Sequence, residues 1–183
     1  MVVNEKILLK LMARDWKNEQ YTVGVYTKDG EQKLFLHGTE WETEITWQVV
    51  PDKVLALIVQ HMRKLPEDGQ AFTISKDEEP TSVGIGWYSM NEPRKDTEYP
   101  EIRRTPILYD GFSVWQKPKN DGCHFFGGLA ADLMDDHGRR VRYLDGGMYL
   151  EGTNSRVFIY NREFMADTPH TRARAALSEE KWV

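Results

Sequence analysis

Between Asp132 and Asp145 the chain reads DLMDDHGRRVRYLD, and no other stretch sets carboxylates, an imidazole and guanidiniums so close together. The candidates for catalysis are His124, Asp135, His137 and Asp145, which with Asp136 could form a general acid–base pair. A metal would need at least three oxygen and nitrogen ligands to converge, with His124, Asp135 and His137 as the set on offer. Arg140 and Arg142 could hold an anion, because the guanidinium fork fits carboxylate and phosphate bidentately. The spacing predicts a β-hairpin tipped by Asp135, Asp136, His137 and Gly138. Its returning strand then carries Arg140 and Arg142 on one face, with Val141 and Tyr143 on the other. In that arrangement the tip meets the arginines only if the strand twists or His124 comes alongside. Hairpin tips are polar for reasons of turn chemistry alone, so residue types do not make this stretch a site. Cys123 and His124 are strand neighbours facing opposite ways, which argues against a thiol–base pair and for a buried, inert cysteine.

Motifs with a stronger signature are missing from the sequence. It contains no GxxxxGK[ST] or GxGxxG phosphate cradle, no GxSxG elbow, no HExxH helix and no HxE…PCxxC deaminase pattern. The Asp-rich tip does not follow the EF-hand pattern. Counting back from Gly138, the ligand positions hold Leu133, Asp135 and His137. A single cysteine, Cys123, rules out an intramolecular disulfide and a Cys-rich zinc site.

The 183 residues suit one domain, with a subdivision at residues 91–105 as the other choice. A net charge of -5 weakly repels nucleic acid and anionic membranes. Aromatics such as Tyr99, Trp115, Tyr143 and Tyr160 could stack on single-stranded nucleic acid, but most fall at core positions and the total charge opposes it. No apolar run approaches the ~20 residues needed to cross a bilayer. The first residues lack the pattern of a signal peptide, so a reducing, cytoplasmic setting is expected. Arginine is uneven: only Arg14 and Arg63 precede residue 90, while ten follow it.

The elements that would position these groups are mostly strands. Asn4 caps a short amphipathic helix over residues 5–15. Tyr21–Thr27 and Gln32–His37 flank Asp29-Gly30, a type I′ turn signal that places Val25 opposite Leu34 and Val23 opposite Leu36. Residues 40–49 alternate strictly, predicting a half-buried strand with Glu40, Glu42 and Glu44 facing water and Trp41, Thr43 and Ile45 facing in. Pro51 opens a helix to about residue 65. Strands follow at Phe72–Ile74 and from Val83 through Ile85 to Trp87, with Gly84 and Gly86 facing the other way. Asp110-Gly111 predicts a second hairpin, Pro106–Tyr109 with Phe112–Gln116, pairing Ile107 with Val114. Cys123–Phe126, then Met148–Glu151 with Arg156–Asn161, complete the strands. A helix from Thr168-Pro169 to about Trp182 closes the chain.

The polar, Pro-broken stretch 91–105 is long for a connection and reads as a binding arm carrying Arg94, Tyr99, Arg103 and Arg104. The expected architecture is α+β: a mainly antiparallel meander of hairpins, curled into a barrel or packed as a sandwich, with about three helices. The expected function is non-enzymatic binding of another protein, or of a second copy of this chain, by an inhibitor, immunity, adaptor or assembly protein. It would act through a sheet face and the 91–105 arm, without cofactor. The competing expectation is a small enzyme or ligand-binding protein with an anion or metal site around residues 124–145.

Overall fold

A computed structural model describes residues 1–84, 91–119 and 122–183. Helix α1 (Glu5–Asn18) starts where the Asn4 side chain accepts the Ile7 N–H at 3.3 Å, and it buries Leu8, Leu11 and Met12. Strands β1 (Tyr21–Lys28) and β2 (Glu31–His37) form the first hairpin. Asp29 and Gly30 at its turn have φ of 52° and 80°, as a type I′ turn requires, and Val23 and Val25 pair with Leu36 and Leu34 as the sequence predicts. Then come β3 (Trp41–Thr46), a single 3-10 turn and α2 (Asp52–Met62), which stops at left-handed Arg63. Strands β4 (Gln70–Ile74) and β5 (Thr81–Val83) follow. The predicted continuation through Ile85 and Trp87 lies outside the described residues.

The second half contains β6 (Arg103–Tyr109), β7 (Phe112–Gln116), β8 (Cys123–Gly127), the single helical turn α3 (Gly128–Ala131), β9 (Arg142–Leu144), β10 (Gly147–Glu151) and β11 (Ser155–Tyr160). Helix α4 (Pro169–Ser178) opens with a capping box on Thr168 and ends one turn short of Trp182.

The strands make an antiparallel eight-stranded sheet, β5-β4-β1-β2-β3-β11-β10-β9, and a three-stranded sheet, β6-β7-β8. The fold is therefore α+β with mainly antiparallel sheet. The large sheet ends at β5 and β9 rather than closing, so it is not a barrel. Helices α1 and α2 cover one face, where Val23, Leu36, Ile45, Val157 and Ile159 join Leu8, Leu11, Val54 and Ile58 in one cluster. That cluster also takes Ile102, Trp115 and Phe126 from beyond residue 100. Each large apolar side chain buried this way contributes about 1.5–3 kcal/mol. On the opposite face Phe35, Leu144, Tyr149 and Phe158 form a second cluster, with Tyr26, Tyr99 and Tyr160 at its margin. A third joins the small sheet (Val114, Cys123, Phe125) to the tail residues Leu177 and Trp182. No helix among the described residues is long and apolar enough to cross a membrane.

Three local expectations are corrected. Two of the three glutamates are not solvated, because β3 lies between β2 and β11 and neighbours on both sides enclose them; Glu42 and Glu44 are 4% and 3% exposed, while Glu40, just before the strand, stays partly exposed. Residues 132–145 do not form a hairpin. The outgoing arm bonds to the N-terminal segment instead, through a Val3–Met134 bridge, Asn4 N–H to the Leu133 carbonyl (2.8 Å) and Asp135 N–H to the Val2 carbonyl (2.9 Å). Buried Leu133 and Met134 hold it there, and the returning strand pairs with β10. In the second Asp-Gly hairpin the register shifts between Arg104 and Leu108, so Ile107 falls in a bulge rather than on the ladder opposite Val114. Pro106 has no N–H for the ladder, and the Thr105 hydroxyl bridges the gap, accepting from Ile107 N–H and donating to the Val114 carbonyl.

Candidate functional site

The residues singled out in the second half separate into three environments. His137, 86% exposed on its side chain, touches Asp135 through Nδ1. Asp135, Asp136 and His137 line a 330 Å³ cleft together with Arg104 and Trp115. His124 sits elsewhere on β8, its ring 4.1 Å from that of Tyr143, and the Asp145 charge acts on the same phenol. Among the described residues no three His, Cys, Asp or Glu side chains converge to hold a metal ion.

Arg140 and Arg142 belong to the third environment, together with part of the 91–105 stretch. Ile102 N–H donates to the Val141 carbonyl (2.9 Å), Tyr143 N–H donates to the Pro100 carbonyl (2.8 Å), and Glu101 bridges to Arg142. Residues 100–102 thus lie antiparallel to 141–143 at the outer edge of β9. Ile102 and Val141 point inward at 1% and 2% exposure. Alternation then turns Glu101, Arg103, Arg140 and Arg142 outward on one face. The ion pairs agree: Glu101 meets Arg103 Nε at 2.8 Å and Arg140 Nε at 3.9 Å, and Arg142 Nη2 lies 3.4 Å from Glu151. The Arg103 hydrogen bond holds the Glu101 carboxyl below its ordinary pKa. Arg140, 86% exposed, has no closer carboxylate than this shared one among the described residues.

The remaining arm residues are used differently. Arg94 N–H donates to the Tyr99 hydroxyl (3.1 Å), closing the loop on itself, and the Tyr99 ring packs toward Phe35, Tyr149 and Phe158. Arg104 pairs with Asp132 at 2.7 Å and lies over the Trp115 ring. The arm is thus anchored to the sheet at Tyr99 and at residues 100–102.

Sequence reasoning missed the polar network on the face of the large sheet opposite α1 and α2. Glu44 stands opposite Arg156 across the ladder, pairs with it, and accepts the Tyr26 hydroxyl. Arg156 also meets Glu92, which Lys28 holds from the other side at 3.0 Å. Burial disfavours charge on Arg156, yet Glu44 and Glu92 overrule it and its pKa is raised. Glu42 accepts from the Tyr160 hydroxyl and from Asn91 N–H (3.3 Å), with His37 Nε2 at 3.9 Å. Burial, then the neighbouring glutamate, raises the pKa of both tyrosines and keeps them as neutral donors. No local signal marks this network, since Arg156 and Tyr160 lie 112 and 118 residues from the carboxylates they meet. Its groups satisfy one another, so it ties Asn91 and Glu92 to the sheet.

No protein-family model, curated protein or solved structure matches this chain. Among the described residues, the pairing of 100–102 with 141–143 sets Arg103, Arg140 and Arg142 in an outward row.

Proposed function

We propose that the protein is a non-enzymatic protein-binding domain, acting as an inhibitor, immunity, adaptor or assembly component. It meets its partner through the arginine-bearing ridge at residues 101–103 and 140–142, beside the anchored 91–99 loop. One observation carries the reading: the pairing of residues 100–102 with 141–143 brings two distant arginine-rich stretches onto one outward face. Arginine is enriched at binding hot spots because its planar fork makes several directed bonds at once. On a chain of net charge -5, a local row of arginines selects an acidic partner surface. The buried free thiol of Cys123 suits a reducing compartment such as the cytoplasm.

The test is affinity capture from the native source, with wild type beside an R103A/R140A/R142A variant, and light scattering for self-association. A stoichiometric acidic partner is expected with wild type, weakened at least tenfold by the triple substitution and by raised salt. Retention of the partner by the variant would remove the ridge from the interface. A monomer that captures nothing would overturn the binding function itself.

A further inference from the structure

We propose that the three-stranded sheet is a peptide-binding face occupied in cis by the chain's own residues 168–183, a tethered ligand that releases as a unit. The sign is Gln116, at the end of the central strand β7. Gln116 is fully buried, yet its amide bonds to the main chain of the tail. Nε2 donates to the Glu180 carbonyl at 2.7 Å, and Oε1 accepts the Trp182 N–H at 2.8 Å. A parallel strand pairs with a residue in the same way, donating to the carbonyl before it and accepting from the N–H after it. The amide thus takes the place of a neighbouring strand around Lys181. Beside it on β8, Cys123 N–H donates to the Ser178 hydroxyl (3.0 Å) and the thiol donates to the Leu177 carbonyl (3.4 Å). In peptide recognition, main-chain bonds of this kind give affinity and side-chain contacts give selectivity. The selective contacts here are Leu177 and Trp182, which pack against Val114, Cys123 and Phe125.

The segment is attached as a ligand is, along one surface and with little of itself buried. Helices α1 and α2 sink Leu8, Leu11 and Met12, and Val54, Ile58 and Met62, into the core, whereas α4 has no buried residue. Among the described residues, the last main-chain bond from the tail to the rest of the fold is Arg162 N–H to the Phe125 carbonyl (2.7 Å); later ones stay inside the segment. The connector ends in exposed Met165, Ala166 and Asp167, the last of them left-handed at φ 59°. The front of α4 is pinned at the surface, where His170 Nε2 lies 2.8 Å from Asp110 Oδ2 and its ring stacks on Phe164. Few buried apolar groups and an exposed connector are the marks of a unit that opens locally, below the cost of global unfolding.

Cys123 reports the opening. It is the one cysteine of the chain and is buried against Leu177. Burial pushes its thiol above the ordinary pKa, which makes it unreactive while the segment is down.

The experiment measures labelling of Cys123 by a chromogenic disulfide reagent in the full chain, beside far-UV circular dichroism in urea. Without denaturant, labelling should run roughly a hundredfold or more faster than global unfolding allows, with the dichroism unchanged. Gln116→Ala and Trp182→Ala should each speed it roughly tenfold, the size of one lost hydrogen bond or contact at a buried group. A synthetic peptide of residues 168–183 should then protect the Trp182→Ala chain, at concentrations near the millimolar effective concentration of a short tether. The same peptide carrying Trp182→Ala should protect far less. R140A/R142A serves as the control, so that this face and the ridge are tested apart. Labelling that tracks global unfolding in every chain, absence of protection by the peptide, or equal protection by its substituted form would overturn the proposal.

Discussion

The Glu42–Glu44 face and the Asp132–Asp145 stretch carry the same kinds of group, carboxylates beside arginine and histidine, and the fold treats them in opposite ways. On β3 the carboxylates are taken out of water and each is met by a tyrosine hydroxyl, one of them also by Arg156. Between Asp132 and Asp145 most of the charged groups stay wet, and the contacts among them are short-range and few. Charge density along the sequence therefore says little about electrostatic consequence. What decides it is whether neighbouring strands remove the groups from solvent, since a pair in water is worth little and a broken pair in the interior is costly.

The largest test of this contrast is at the buried pair. Glu44→Ala strands the Arg156 guanidinium and frees the Tyr26 hydroxyl, and should cost about 3–5 kcal/mol in urea denaturation. Replacing both partners, as E44L/R156M, should cost much less than either single change; a double variant as damaged as the summed singles would show that the pair is not a coupled unit. The second test uses acid. Burial pushes His61 and His124 down to about 4, well under the ordinary 6.5. Between those values the unfolded chain binds protons that the native one refuses. Their contribution is thus complete above pH 6.5 and is lost as pH falls toward 4. The urea midpoint should decline over that window, and His61→Phe or His124→Phe should each flatten the decline; an unchanged slope would mean that these rings titrate alike in both states. The smallest effect is expected at the exposed stretch: His137→Ala, on a side chain 86% exposed, should move stability by less than about 0.5 kcal/mol. A loss above 2 kcal/mol there would erase the contrast.

Much of the fold was legible because its signals are local. Asp29-Gly30 and Asp110-Gly111 both adopt positive φ, and the first hairpin has the predicted register residue for residue. The Asn4 and Thr168 caps likewise start helices where hydroxyl or amide oxygens can accept N–H groups. The second hairpin slipped at Pro106, a residue whose missing N–H could have warned of a bulge. The candidate site was less legible. Alternation correctly set Arg140 and Arg142 opposite Val141, but nothing local announced that residues 100–102 would lie alongside them. For β3, a period of two shows that there are two faces, while the number of layers covering each depends on strands more than a hundred residues away.

The order of the large sheet also shapes how the chain comes together during synthesis. Strands β1 to β4 are complete by residue 74, yet β3 gains its second ladder partner only when β11, ending at Tyr160, is available. Until then β3 is an open edge, the kind of surface on which nascent chains pair with one another. In that interval Glu42 and Glu44 are hydrated charges on the exposed edge and act as gatekeepers against misassembly. Arrival of β11 brings Arg156 and Tyr160 to the same two carboxylates, so the groups that protect the unfinished sheet become the ones that lock the finished one.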